Sequence, residues 1–341
     1  MFSAAMVNRS AHLPALGLVI GFALLSVLMA LCLGAVTIPF QQVLETFVNQ
    51  AVTDKPLAFY ERIVWDLRLP RTLLAFLAGA GLAIAGLILQ TVTRNPLADP
   101  YLFGISSGAS LGVVITIALI GSSAGGAISI AAFAGSLGAM FLLIAITSRH
   151  ANYQVEIMLL AGVALSFLFS ALTSLLLYWT EPQAVTAILF WTLGSFSRAD
   201  WSGLVFPTLV VVACLVFMVA SRRQLNALLL GDESAITLGI NVKQFRIVML
   251  VLSSLITATL VSICGGIGFV GLMIPHIVRF FISQGSAQGM LMTALVGGVF
   301  MVWVDVLSRT LLNNQELPVG IITAATGSIF FLALLYRKRA E

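Results

Sequence analysis

The sequence predicts an all-α integral membrane protein of ten transmembrane helices with both termini in the cytoplasm. Three observations carry this expectation. Of 341 residues, 60% are hydrophobic and only 9% are charged, against about 25% charged in an average soluble domain, so a soluble exterior could not be solvated. The apolar residues run in long charge-free windows, each able to hold the ~20 residues that cross a bilayer as a helix, rather than in the alternation of a transmembrane barrel. Finally, once the spans are placed, most basic residues fall on one side of the membrane.

Ser10 to Leu44 contains no Asp, Glu, Lys or Arg, and its leucine-rich part, Leu13 to Val36, is longer than a signal-peptide core and lacks a convincing cleavage site. It reads as a retained first helix. Thr72 to Thr93 is the second span, and the 49-residue window Pro100 to Ser148 holds the third and fourth, turned at Gly121-Ser122-Ser123. Ile157 to Thr180 and Trp201 to Ser221 give the fifth and sixth. Ile247 to Val278 and Phe280 to Val304, separated by Arg279 alone, fit three helices broken at Cys264-Gly265-Gly266 and Gln284-Gly285-Ser286. Leu317 to Tyr336 is the tenth. Residues 1–341 thus form a single transmembrane domain, with 224–243 as its longest cytoplasmic loop.

With the termini inside, Arg9, Arg94, Arg149, Arg222, Arg223, Lys243, Arg246, Arg279, Arg337, Lys338 and Arg339 are cytoplasmic, 11 of the 17 basic residues. The outer loops instead hold Glu45, Asp54, Glu61, Asp66, Glu181, Asp200 and Glu316. The net charge of +4 therefore reflects membrane sidedness and gives no reason to expect a nucleic-acid partner. One internal echo, Gly81, Gly86, Leu87 and Arg94 against Gly266, Gly271, Leu272 and Arg279, fits either a duplicated half or, more simply, small residues at close helix crossings.

Several chemistries are missing. None of the three lysines, Lys55, Lys243 and Lys338, is followed by Ser or Thr, so the chain has no phosphate-cradling G-x-x-x-x-G-K-[ST] loop. No Ser/His/Asp or Cys/His set has recognisable spacing and no pair of carboxylates lies within a span, so no catalytic residues are assigned. Cys32, Cys214 and Cys264 read as small buried hydrophobes, and His12, His150 and His276 are too scattered for a metal site. Asp305, four residues before Arg309, shares its helical face and reads as a structural pair rather than a proton relay.

Three segments carry functional expectations. Outside, Asp66-Leu67-Arg68-Leu69-Pro70-Arg71-Thr72 sets two arginines against the positive-inside bias on a proline-stiffened entry to the second helix. Their planar forks suit carboxylates, which favours docking of an acidic protein over an interfacial anchor. Inside, Arg94-Asn95-Pro96-Leu97-Ala98-Asp99-Pro100 is a turn stiffened by two prolines. Leu225 to Val242 reads as two short helices joined at Gly231-Asp232, with Asp232 and Glu233 at the second helix's N-terminus and Leu238-Gly239 ending it. Ordered amphipathic structure there suits contact with a soluble motor protein.

On these stretches the chain resembles the FecCD family of permeases, membrane subunits of ATP-driven importers for iron-siderophores, haem and vitamin B12. The residues that carry the resemblance are Arg68 to Gly112, Leu159 to Ser166, Leu230 to Gly239, Gly265 to Arg279 and Asp305 to Gly327, in the family's order. The resemblance implies a type II ABC importer fold in the inner (cytoplasmic) membrane of a bacterial cell: a homodimer with the pathway at its axis, a periplasmic substrate-binding protein outside and two P-loop ATPase subunits below, which bind the ATP and Mg. No cofactor is implied for this chain. Arg68, Arg71 and Arg309 match positions that meet glutamates of the binding protein. Leu230, Gly231, Asp232, Glu233, Ala235, Leu238 and Gly239 match the helices that couple to the ATPase. Asn95 and Leu97 match a cytoplasmic gate, whose next position falls at Val155 and Glu156, where the vitamin B12 permease carries hydroxyls. Ile329 stands where the family often has proline. His276 lies in the family stretch Pro275-His276 shared across substrates, so it reads as a packing residue and not an iron ligand. Tyr178, Trp179, Trp191 and Phe196 are placed near the outer mouth. The substrate expected from the family is an iron chelate, siderophore or haem, ahead of vitamin B12. Rival classes are an ion-coupled secondary transporter working through Asp305 and an ATP-independent channel or receptor.

Overall fold

The computed structural model describes residues 12–52, 58–120, 125–148, 155–283, 285–312 and 315–338, and every regular element among them is helical. α1 (His12–Cys32) bends into α2 (Phe40–Val52). α3 (Phe59–Arg62), a π-helical turn (Ile63–Arg68) and α4 (Leu69–Thr93) run on as one helix of 35 residues. A 3-10 turn (Pro100–Phe103) leads into α5 (Ile105–Ile120), followed by α6 (Gly125–Ser148), α7 (Val155–Trp179), the short α8 (Pro182–Thr192) and α9 (Trp201–Ala220). α10 (Arg222–Leu229) and α11 (Asp232–Thr237) form the long connection, and α12 (Val242–Cys264), α13 (Val270–Arg279), α14 (Ala287–Thr310) and α15 (Val319–Lys338) complete the chain.

Among the described residues, eight helices are long and apolar enough to cross a membrane, and α5 and α13 are shorter apolar helices of 16 and 10 residues. At 1.5 Å per residue these two reach about 24 and about 15 Å, short of a hydrocarbon core of about 30 Å. A count of ten is reached only by adding them to the eight. α13 is short because its apolar window opens on unwound Gly265 to Gly268, where the sequence reading placed the helix break. The turn at Gly121-Ser122-Ser123, together with Arg9, Asp54, Lys55, Arg149, His150, Gln284 and Arg339, lies outside the described residues, as do the side chains of His12, Arg337 and Lys338.

The core is built around α4, nearly every residue of which from Leu69 to Thr93 is buried. α14, α12 and α13 pack along it, and α5, α6 and α7 form a second group joined to α4 through α12. Small residues set the approach. A Cβ on Gly86 would lie 2.0 Å from the carbonyl oxygen of Gly271, so only glycine lets α4 and α13 cross there. Gly86 and Gly271 are corresponding members of the internal echo, and close packing accounts for them directly. The three cysteines are free and buried.

Three local differences from the sequence reading have physical causes. Asp66 to Thr72 is helical rather than a loop before the second span. The Leu69 N–H bonds to Val64 O, five residues back, and the missing N–H of Pro70 follows this wider turn, so the helix continues through it. α1 stops at Cys32, before Val36. α2 and α8 are helices the charge-free windows did not resolve, because both are too short to span.

Candidate functional site

Arg68, Arg71 and Arg309 come together at one end of the bundle, the Arg68 end, but all three are buried. Arg68 donates to the carbonyl oxygens of Leu31 at 2.6 Å and Cys32 at 3.2 Å, and to Val36 O, satisfying carbonyls that the end of α1 leaves open. Asp305, with its side chain 1% exposed, holds Arg71 Nε at 2.8 Å and Arg309 Nε at 3.1 Å. The Asp305–Arg309 pair read from the sequence is therefore present, with Arg71 as a third member from 234 residues away. Arg309 also donates to Ala30 O at 3.3 Å. Arg71 Nη1 meets Glu316 at 2.7 Å, and Glu316, 47% exposed, is the accessible member of the cluster.

Next along the fold, three helix ends meet. Ser195 N donates to Cys264 O at 2.8 Å, Val319 N to Gly194 O at 3.1 Å, and Gly320 N to Leu193 O at 2.9 Å, joining the ends of α8 and α12 to the start of α15. A Cβ on Gly265, at φ +73, would lie 2.1 Å from Trp191 O. The junction therefore needs glycine for both conformation and space. On one side lies a cavity of about 240 Å³ lined by Phe190, Trp191, Arg198, Cys264, Glu316 and Pro318.

On the other side a cavity of about 620 Å³ is lined by Tyr101, Ser106, Ser107, Ser110, Ser166, Ser170 and Thr192, with Gly266, Gly268 and Gly320. Ser107 donates to Gly104 O, Ser110 to Ser106 O, Ser166 to Gly162 O and Thr192 to Leu189 O. These hydroxyl protons are spent on nearby helix backbone, leaving oxygen lone pairs toward the space. Tyr101 Oη accepts from Ile267 N, which pins the unwound segment before α13. No carboxylate, Lys, Arg, His, Cys or Met lines this cavity among the described residues. Its surface is uncharged, with the hydroxyls set among apolar Leu193, Ile321 and Ala324, and it presents no carboxylate, imidazole or thiol to compete for the metal of a chelate.

The aromatic residues expected at the mouth divide. Tyr178 and Trp179 are exposed, and Trp191 lines the smaller cavity. Phe196 is fully buried in the core, a correction whose cause is the Ser195 N–H bond to Cys264 O, which ties the residue before it to the end of α12. His276 packs edge-on against Phe280 and Phe330. Among the described residues no group of three His, Cys, Asp or Glu could hold a metal.

At the opposite, Arg94 end, Arg94 ends α4 in the left-handed region at φ +52. Asn95 Oδ1 then accepts from Leu97 N at 2.9 Å, so the Asn95–Leu97 turn is closed by its own side chain, with Leu97 exposed. Val155 and Glu156 begin α7, a different element, whose Gly162 packs on the Leu102–Phe103 backbone. The two short helices read in Leu225 to Val242 are α10 and α11. Their inner face buries Leu225, Leu228 and Ala235, while Leu230, Ile236 and Leu238 are exposed and Gly231 and Gly239 bound α11. Glu233 is exposed, whereas Asp232 turns inward to Arg246 and Arg94.

The sequence reading missed Gln90, Asp99, Tyr101, Arg246 and the cavity serines as functional residues. Ser106/Ser110 and Ser166/Ser170, each four apart in charge-free spans, were the available signal. Asp99 is buried, accepts from Tyr101 N at 2.8 Å, and its carboxyl is pushed up to about 6 by burial, with the Tyr101 N–H pulling the other way.

Two outcomes follow. Asp305→Asn leaves Arg71 and Arg309 facing each other in a buried site, and thermal unfolding of purified protein should register a loss of about 3–5 kcal/mol. For Asp99, the stabilisation from the protonated form is full below the unfolded value of 3.8 and is lost as pH rises through about 6. Asp99→Asn keeps the acceptor, so it should melt higher than the parent at pH 7.5, with the gap closing toward pH 4.

The FecCD transport family model matches residues 22–337. The chain is 36% identical over 339 residues to the hemin transport system permease HmuU of Yersinia pestis, covering 95% of this chain and 97% of that one. It is 40% identical over 273 residues to the cobalamin import system permease BtuC of Halobacterium salinarum, covering 80% and 73%. A solved structure described as an inward-facing conformation of a metal-chelate type ABC transporter matches with a TM-score of 0.84 at 29% identity, covering 95% of this chain and 99% of that one. With a family match over residues 22–337 and helices long and apolar enough to cross the inner membrane several times, the chain belongs to the FecCD transport family of ABC importer permeases, and is a transport subunit rather than a catalytic enzyme.

Proposed function

We propose that the chain is the permease of an ATP-driven importer that passes an intact metal chelate, siderophore-bound iron or haem, through the hydroxyl-lined cavity. The observation that carries this reading is the cavity's chemistry. Uncharged walls that set hydroxyl oxygens and glycine backbone among apolar side chains can contact a large chelate without a carboxylate, imidazole or thiol to compete for its metal. α5 and α13 would complete ten spans, with the Arg94 end and both termini cytoplasmic by the positive-inside rule. Two copies would enclose the path. Vitamin B12, another wrapped metal complex, suits the same walls.

Energy enters from outside the chain. Exposed Leu230, Ile236 and Leu238 form an apolar surface at a charged end, which suits a groove on a P-loop ATPase that binds ATP and Mg. Movement of α10 and α11 would reorganise the gate at Asn95, Leu97, Val155 and Glu156. At the Arg68 end, a periplasmic binding protein would dock through acidic side chains. Arg68 and Arg309 are engaged with backbone, so they act through their field, while Arg71 can exchange half-exposed Glu316 for a partner's carboxylate. Asp305, clamped by two arginines, is unsuited to carry a coupling proton.

The decisive experiment reconstitutes the chain with its ATPase and binding protein in vesicles and compares uptake of ferric siderophores, haem and vitamin B12. ATP-dependent uptake of one chelate, insensitive to an uncoupler, is the expected result; uptake without the ATPase, abolished by an uncoupler, would replace this reading with ion coupling. Docking has its own test in titration calorimetry with the binding protein. Arg71→Gln should weaken association about 10-fold at low salt, less at high salt, and Glu316→Gln should strengthen it. Equal affinities across the three forms would remove Arg71 from the docking surface.

A further inference from the structure

Asp232 lies on the segment assigned to the motor contact, and its carboxylate, on a side chain 36% exposed, is held by two arginines. Oδ1 meets Arg246 Nη2 at 3.0 Å and Arg94 Nη2 at 3.2 Å, and Oδ2 lies 3.2 Å from the same Arg246 nitrogen. Arg246, on α12, is among the largest fully buried side chains of the chain. Arg94 is the last residue of the continuous backbone of α4 and the immediate neighbour of Asn95. One carboxylate therefore joins three elements: α11, the buried stem of α12, and the turn that begins at Arg94.

The two arginines differ in what they can do. Arg246 is enclosed and serves as a fixed anchor, whereas the Arg94 side chain is 41% exposed and ends a helix in a left-handed conformation, which a non-glycine residue holds only with support. Neighbouring contacts on the α4 side stay within α4, α13 and the following turn. Gln90 donates to Gly271 O at 2.9 Å and accepts from Arg279 at 2.9 Å, fixing the last turn of α4 against α13. Asn95 Oδ1 closes the following turn on Leu97 N. Of these connections, the Arg94–Asp232 bridge is the one that crosses to α11.

We infer that Asp232 is a positioning residue that transmits displacement of α11 to the Asn95–Leu97 turn through Arg94, with Arg246 as its pivot. This rests on the reading of α10 and α11 as the ATPase contact. A partner that pushes on exposed Leu230, Ile236 and Leu238 moves the backbone of α11, and the carboxylate carries Arg94 with it. Losing the charge uncouples the two segments while leaving the apolar contact surface intact.

The test uses the full transporter in vesicles and reads substrate imported per ATP hydrolysed, alongside recovery of the ATPase with the permease. Asp232→Asn should retain ATPase assembly and hydrolysis but lower the import-to-hydrolysis ratio about 10-fold, and Asp232→Glu should restore most of it. Arg94→Gln should lower the ratio similarly, and the double variant Asp232→Asn, Arg94→Gln should be no worse than Asp232→Asn alone, because both changes remove the Arg94–Asp232 link. Should Asp232→Asn fail to accumulate, Arg94→Gln, which keeps the Asp232–Arg246 pair, reads the same ratio. A normal ratio in Arg94→Gln, additive losses in the double variant, or loss of ATPase assembly in Asp232→Asn would each overturn the inference. Failure of the parent chain to assemble with any P-loop ATPase would instead overturn the reading on which it rests.

Discussion

Asp305 sits almost wholly out of solvent between two arginines, and the assembly of the Arg68 end depends on that arrangement. A lone buried carboxylate or guanidinium next to hydrocarbon is expensive, so each of the three is tolerable only while the others are in place. The cluster also reaches further than its members. Arg309 takes a carbonyl of α1, Arg71 takes Glu316 on the approach to α15, and Arg68 caps the end of α1 nearby. Four elements, α1, α4, α14 and the segment before α15, are thereby set relative to one another by charges that cannot separate without cost.

Beyond that fixed end a cavity opens where helices stop. α8, α12 and α15 meet through backbone hydrogen bonds among Leu193, Gly194, Cys264, Val319 and Gly320. Irregular backbone among apolar helices is tolerated where it is enclosed by protein or lines a cavity, and here it does both. The result is an uncharged space beside the junction, lined by serine hydroxyls and glycine backbone among apolar Leu193, Ile321 and Ala324.

α4 connects those ends. It carries Arg71 into the Asp305 cluster and, in the same helix, Gln90 into the α13 contact, ending at Arg94 beside Asp232. Its close approaches to α13 and α14 through glycine leave little room to bend. A helix so packed behaves as a strut, so displacement is absorbed at its termini, where the backbone changes character at the π turn and at left-handed Arg94.

What the sequence determined by itself was the all-helical membrane class and most of its long apolar helices, because the cost of placing charge in hydrocarbon acts residue by residue and leaves long apolar windows that can be read directly. The Gly265 break, the Gly231 joint and the Asp305–Arg309 pair were legible for a similar reason: each is local in the chain. Only the tertiary structure decided that Arg68, Arg71 and Arg309 are buried, that Arg71 meets Asp305, that Phe196 is core, and that Asp232 turns inward to Arg94 and Arg246. Those contacts join residues from different helices, some more than two hundred positions apart, and a charge pattern along one chain specifies that a partner is needed without specifying which helix supplies it.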